Sequence, residues 1–415
     1  MFRIRKHPIS RERGVVMKIV YLDGLRGLAA FIVVVSHFFQ VFAPSVFEGR
    51  KEIEHFAFEG IAARTPFNLL FNGNFSVCLF FVLSGYVLSY RFFQTGDRLV
   101  IYSSAIRRYF RLAVPALVSV LFAYLILVLD LGAYGNIRGM TLSSMPDPFA
   151  ADANLLVMLK ESLVHTFFTY GSQYNPVLWT MTYELFGSFL IFVILVTCGR
   201  HAIRYAVYAV LICVFIDSYY LGFILGMLLS DVKNSGRDWL ASIHRPWIHI
   251  LLLCIGIYTG SYPYVAPQGT IYSLLQWGAS DFNFFVFYHV IGSFLILGVL
   301  LNSKRMQSIF SHRVFAYLGK VSFSLYLVHF TVICSLGSFI FLFLSPFLTY
   351  GSNVLLTTFI TFLVIAVTAH GFYRLIDARI LLWLTRWNKR LFSAQKLRGQ
   401  GPSGQAQTEQ TMKAD

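Results

Sequence analysis

Apolar runs long enough to cross a lipid bilayer recur throughout this chain, and they constrain its fold more than any other feature. A helix needs about 20 residues to span ~30 Å of hydrocarbon. Because lipid offers no partner for open peptide groups, unbroken apolar runs of that length are read as helices. Ten candidates occur, at 26–45, 73–93, 112–132, 179–198, 204–216, 218–232, 247–261, 284–301, 320–344 and 353–375. Composition agrees: only 13% of the 415 residues are charged, against about 25% in soluble domains, and the mean hydropathy is +0.64. Disorder, collagen-like repeats and a secreted disulfide scaffold are excluded. The expected fold is an all-α integral membrane protein with about ten transmembrane helices.

Charge gives the sidedness. The segments 1–25, 94–111, 199–203, 233–246, 302–319 and 376–415 alternate with the others across ten spans and hold 24 of the 34 Lys and Arg. Five more (Arg26, Arg91, Arg204, Lys320, Arg374) sit at the same ends of helices. The remaining five lie among nine acids on the opposite side. Short cytoplasmic loops carry such an excess of cations, so both termini are expected in the cytoplasm. The net charge of +15 is then a topological signal, and no nucleic-acid partner is implied. Residues 1–20 form a basic cytoplasmic segment, 21–377 the membrane domain and 378–415 a basic tail, expected to be disordered from about Ser393. No cleavable signal peptide is recognised, because the first apolar run is too long for one. The two large outward loops, 46–72 and 133–178, are of a size that usually carries function. Within the second, 153–170 reads as a weakly amphipathic helix. The five cysteines (Cys78, Cys198, Cys213, Cys254, Cys334) fall in apolar runs without a CxxC pair and read as small buried hydrophobes.

Ionisable and polar residues inside such runs are costly and mark candidate sites. In YLDGLRGLAAFIVVVSHFF, Arg26 and His37 are eleven residues apart. At about 100° per residue they lie within about 20° of one helix face, and about 16 Å apart along the axis. In NFSVCLFFVLSGYVLSYRFF, Ser84 and Gly85 form a small pair that allows another backbone to approach. RRYFRLAVP carries Arg107, Arg108 and Arg111, with Arg107 and Arg111 on one face. Guanidinium pairs suit phosphate, and the same pattern fits interface anchoring. WTMTYELFGSF places Glu184 about a turn inside the membrane, with Trp179 at the interface. In LGKVSFSLYLVHF, Ser322, Tyr326 and His329 form one stripe at i, i+4 and i+7. No HExxH-type spacing occurs, so no metal site is expected.

Together these motifs resemble the acyltransferase-three family, membrane O-acyltransferases that decorate polysaccharides and other envelope acceptors. The resemblance runs from Tyr21 to Asp377. Its most specific element is the family's Arg-x10-His pattern, met by Arg26 and His37, followed in order by FFVLSGY, RRYFRLAVP, WTMTYELF and SFSLYLVH. One landmark departs: the last span ends FYRLIDARI, and no proline follows Asp377. No additional esterase-like domain, as some relatives carry, is expected after it.

The resemblance implies an acyl-CoA donor, acetyl by default, arriving from the cytoplasm as a co-substrate, and an acceptor hydroxyl, usually on a sugar. No bound cofactor is implied. The membrane is a cell membrane of the bacterial inner or plasma type. His37 is the expected base, since a neutral imidazole can take the hydroxyl proton. Tyr326, Ser322 or His329 is the expected donor to the oxyanion, and Glu184 is expected to orient an imidazole or the acceptor. Arg26, Arg107, Arg108 and Arg111 are the donor-binding candidates. A different class, a secondary transporter or exporter of an envelope precursor, would use the intramembrane His and Glu as a proton relay; no internal repeat supports it. A glycosyltransferase acting on a lipid-linked sugar would draw on Glu48, Glu52, Glu54 or Glu59, and leaves the histidines without a role.

Overall fold

A computed structural model describes residues 19–236, 238–243, 245–278 and 281–399. Most of the basic segment expected at 1–20, and the final stretch of the tail, lie outside the described residues. All regular elements among the described residues are helical, and each of the ten apolar runs is one. They are labelled α1 (Val20–Phe42), α2 (Gly73–Thr95), α3 (Arg98–Val128), α4 (Thr180–Thr197), α5 (Arg204–Val214), α6 (Tyr220–Asn234), α7 (Pro246–Gly260), α8 (Phe284–Asn302), α9 (Arg313–Val332) and α10 (Tyr350–Phe372). Seven helical segments are long and apolar enough to cross a membrane: Val20–Phe42, Gly73–Thr95, Arg98–Val128, Pro176–Thr197, Phe284–Asn302, Arg313–Leu344 and Tyr350–Arg390. The chain is therefore a multi-pass membrane protein. On α10, Leu355, Phe359, Leu363 and Val367, spaced four apart, are all exposed, as a lipid-facing stripe requires.

Local chemistry sets the helix ends. The side chains of Asn72, Asp97 and Asn283 accept backbone N–H groups at the starts of α2, α3 and α8, satisfying donors that helical bonding leaves open. Pro246 sits in the first turn of α7, where its missing N–H costs nothing. Gly96, with φ +65°, closes α2 in a conformation that glycine adopts without strain. Helix α3 starts well before its apolar run, so the arginine motif lies inside it. Pro115 then removes the N–H that the Arg111 carbonyl would otherwise accept.

Helix α1 is central, packed against α9 on one side and α2 on the other. Its approach to α9 is backbone to backbone. A Cβ on Gly27 would lie 2.3 Å from the Gly319 nitrogen, and one on Gly319 would lie 2.1 Å from the Asp23 carbonyl oxygen. Gly85 on α2 likewise meets the Phe223 carbonyl of α6, as the small pair in that run implies. Helices α9 and α10 each continue through a π-helical turn, Ile333–Gly337 and Tyr373–Asp377, into further helix.

The last helix, Ala378–Gly399, opens the basic tail, with Trp383 stacked on Trp387. One expectation is corrected. All five cysteines are free, but Cys213 and Cys254 are exposed: they lie on α5 and α7, short helices with much uncovered apolar surface.

Candidate functional site: two chambers with a common wall

The close packing of α1 on α9 brings His37 to His329. His37 Nδ1 lies 2.9 Å from the Val33 carbonyl and 3.1 Å from His329 Nε2. His329, fully buried, has its Nδ1 3.1 Å from the Leu325 carbonyl. Carbonyl oxygens only accept, so in the neutral pair both Nδ1 atoms carry the proton. His329 Nε2 is then an acceptor for the His37 Nδ1–H, and His37 Nε2 is left unprotonated. The pair thus fixes the His37 tautomer with its basic nitrogen unspent.

His37 lines a chamber of about 990 Å³ together with Gln40, Asn74, Trp179, Tyr219 and Tyr326. A second chamber, of about 420 Å³, is lined by Asp23, Arg26, Ser84, Arg108, Arg111, Glu184, Lys320, Ser322, Tyr326 and Asp377. Tyr326 and Val77 border both. The histidine chamber and the chamber that holds the arginines thus share these two lining residues.

The charges of the second chamber are mostly paired. Arg108 contacts Glu184, which also accepts from Ser84 Oγ at 2.7 Å. Arg108 Nε donates to Ser188 Oγ at 2.7 Å. Arg111 lies 2.6 Å from Asp377, and Arg26 lies 3.2 Å from Asp23. Lys320 sits over the Tyr373 ring at 5.2 Å and forms no ion pair among the described residues. The covered pairs of Arg108 and Arg111 hold their guanidinium planes in fixed positions, so the chamber presents preorganised, mostly neutralised charges, with Lys320 as its one cation without an ion pair among the described residues.

The expected site residues thus divide. His37 and His329 meet, and Tyr326 stands between the chambers. Arg26, Arg108, Arg111, Ser322 and Glu184 gather in the second chamber. Arg107 is not in its lining; its Nε donates to the Ser103 carbonyl at 2.8 Å, because a neighbour one residue along a helix points about 100° away. Glu184, expected to orient an imidazole or the acceptor, is bonded to Arg108 and Ser84, and the side chain that contacts the His37 ring nitrogen is His329. The three expected oxyanion donors have their protons engaged. Tyr326 Oη donates to the Val177 carbonyl (2.6 Å), Ser322 Oγ to Gly319 (3.0 Å), and His329 Nδ1 to Leu325.

Lys320, Ser84, Asp23 and Asp377 belong to the second chamber although sequence reasoning gave them no role in the site. Asp377 had a signal as the acid at the end of the last span; Lys320 read only as an inner helix end. Among the described residues no three His, Cys, Asp or Glu side chains converge as metal ligands.

Comparison with known proteins bears on this arrangement. Residues 19–370 match the model of a family described as an acyltransferase domain. A curated protein, O-acetyltransferase PaAT-1 of Phomopsis amygdali, is 26% identical over 387 residues, covering 79% of this chain and 75% of that protein. No solved structure matches the chain significantly.

Proposed function

This chain belongs to the acyltransferase-three family, and on that premise we propose that it is a membrane O-acyltransferase, moving an acyl group, acetyl by default, from acyl-CoA to a hydroxyl of an envelope acceptor, a saccharide. The supporting observation is the pair of chambers with Tyr326 and Val77 as their common wall. Ten crossings with both ends in the cytoplasm, read from the Lys/Arg distribution, turn the arginine chamber toward the side where acyl-CoA is made. Arg26, Arg108, Arg111 and Lys320 would meet its phosphates there. The acceptor would enter the histidine chamber from the opposite side of a cell membrane.

The reaction follows from the tautomer. The acceptor oxygen attacks the thioester carbonyl carbon while its proton passes to His37 Nε2. The tetrahedral intermediate then breaks its C–S bond, and the departing thiolate takes the proton from the His37 imidazolium. One ester and one CoA thiol form, with no net proton change. His329 holds the His37 ring in place and accepts from its Nδ1–H, which favours the charged ring as it forms. A positioned base of this kind contributes about 10²–10⁴ in rate.

The test is thiol release by protein in lipid nanodiscs given acetyl-CoA and the host's envelope polysaccharide, stripped of esters by alkali. Wild-type protein should release one thiol per ester formed, and His37→Ala should fall by about 10²–10⁴ at equal abundance. Wild-type protein that moves solute without releasing thiol would instead be a transporter, and the proposal would fail.

A further inference from the structure

The mechanism leaves unused a fully buried histidine, His289 on α8. Its Nε2 lies 2.9 Å from the Tyr262 carbonyl, which can only accept, and 3.1 Å from Asn72 Nδ2, which can only donate, while its Nδ1 faces the amide of Asn74; the tautomer that lets Nδ1 accept from Asn74 carries the proton on Nε2, toward the Tyr262 carbonyl. Asn74, in the first turn of α2, donates its Nδ2 to that Nδ1 at 2.8 Å. The Asn74 Oδ1 then accepts the Tyr219 hydroxyl at 2.5 Å. The proton order is thus set in one direction, from Tyr219 to Asn74 to His289 to the Tyr262 carbonyl. It ends with a phenol oxygen whose own proton is spent and whose lone pairs remain to accept.

Three polar side chains, on α2, on α8 and at the residue that precedes α6, are costly unless satisfied, and leucines would pack there without that cost. Asn74 and Tyr219 both line the chamber that holds His37. Tyr219 also packs on Trp179, with ring centroids 5.2 Å apart, so the same wall offers an aromatic surface beside the phenol oxygen. At about 990 Å³ the chamber far exceeds a simple alcohol.

We propose that Tyr219 and Asn74, held by the buried His289, form an acceptor subsite that binds a second hydroxyl of the substrate while His37 deprotonates the first. The subsite rests on the acyl-transfer reading above and narrows its acceptor to a polyhydroxylated, sugar-like ring. Tyr219 takes the hydrogen of the second hydroxyl, and the Trp179–Tyr219 wall takes the C–H face of the ring. His289 acts through Asn74 and is a positioning residue.

The experiment uses full-length protein in nanodiscs with acetyl-CoA, and two probes: methyl glucoside, and cyclohexanol as a ring alcohol with one hydroxyl. Wild-type protein should prefer the glucoside in kcat/KM. Tyr219→Phe should raise the glucoside KM by roughly 3- to 10-fold, the worth of one hydrogen bond, with a smaller change in kcat, and should lower the glucoside-to-cyclohexanol ratio by a similar factor. His289→Leu should do the same, and His289→Gln, which can still accept from Asn74, should recover some of the loss. Thermal unfolding midpoints identify variants that fail to fold, and Tyr219→Phe, losing only an oxygen, keeps the test valid if His289→Leu is one of them. Thiol release with no glucoside preference, or with no transfer to either probe, overturns the subsite and leaves the acyltransferase reading standing. So does a Tyr219→Phe glucoside KM equal to wild type. No thiol release by the wild type overturns both.

Discussion

Gly319→Ala tests whether the spacing of α1 and α9 sets the active geometry. The new Cβ would lie 2.1 Å from the Asp23 carbonyl oxygen and 2.4 Å from its carbon, whereas ordinary contact begins at 3.4 Å. Its obstacle is backbone on α1, which cannot rotate aside, so the helices must move apart by about 1.3 Å at that point. If α9 moves as a rigid rod, the 3.1 Å contact between His329 and His37 opens to about 4.4 Å, outside hydrogen-bond range. His37 then keeps only the Val33 carbonyl, and a misplacement of about 1 Å at a reacting group can cost about 10²-fold. Overpacking of this kind also destabilises by about 1–3 kcal/mol. The assay is thiol release from acetyl-CoA with the de-esterified polysaccharide, alongside thermal unfolding in nanodiscs. Gly371→Ala on α10 is the control, since a Cβ there meets nothing within 4 Å. Folded Gly319→Ala protein that retains more than about a third of wild-type turnover would refute the argument, because a ~1 Å shift should cost far more.

Three further outcomes follow from other contacts. His329→Leu removes the acceptor for His37 Nδ1–H and should lower kcat about 10-fold or more, whereas His329→Gln, which can still accept, should lose less; equal losses in steady-state assays would count against the tautomer argument. Asp377→Ala leaves the Arg111 guanidinium without its carboxylate, of which only 3% of the side chain is exposed. Breaking a pair this covered should cost about 3 kcal/mol in denaturant unfolding, and a loss below about 1 kcal/mol would mean water takes the place of the pair. Glu59, in the first large loop, is buried and accepts the backbone N–H groups of His55 and Phe56. Burial, the largest effect, raises its carboxyl above the ordinary range. The charged form is thus disfavoured in the folded protein, a penalty present above the raised value and relieved as pH falls through it. Glu59→Gln should therefore unfold at a higher temperature than wild type near pH 7.5, with the gap closing on acidification, and a gap that widens toward low pH would reverse the sign of the argument.

Much of the architecture was legible from single segments. All ten apolar runs became helices, because length, apolarity and capping by Asn72, Asp97, Asn283 and Pro246 act within a few residues. The small pair at Ser84–Gly85 correctly marked a close approach, although Ser84 itself binds Glu184. Less legible was the allocation of groups between chambers. Arg107 and Arg111 share a face by spacing, yet Arg108 joins Arg111 in the chamber lining, because the chamber opens between those two directions of α3. Glu184, expected to orient an imidazole or the acceptor, has Arg108 and Ser84 as its partners, which spacing along one helix does not reveal.

The sequence by itself determined that this chain lives in a membrane, where its helices lie, and that Arg26 and His37 share a helix face, since each of these depends on periodicity along one segment. Tertiary structure alone decided that His37 meets His329 across 292 residues, that Arg111 meets Asp377, and that Tyr326 and Val77 form the wall between the chambers. Those contacts depend on how helices rotate and how closely glycines such as Gly27 and Gly319 let them approach. That geometry belongs to pairs of helices, and no pattern within one of them encodes it.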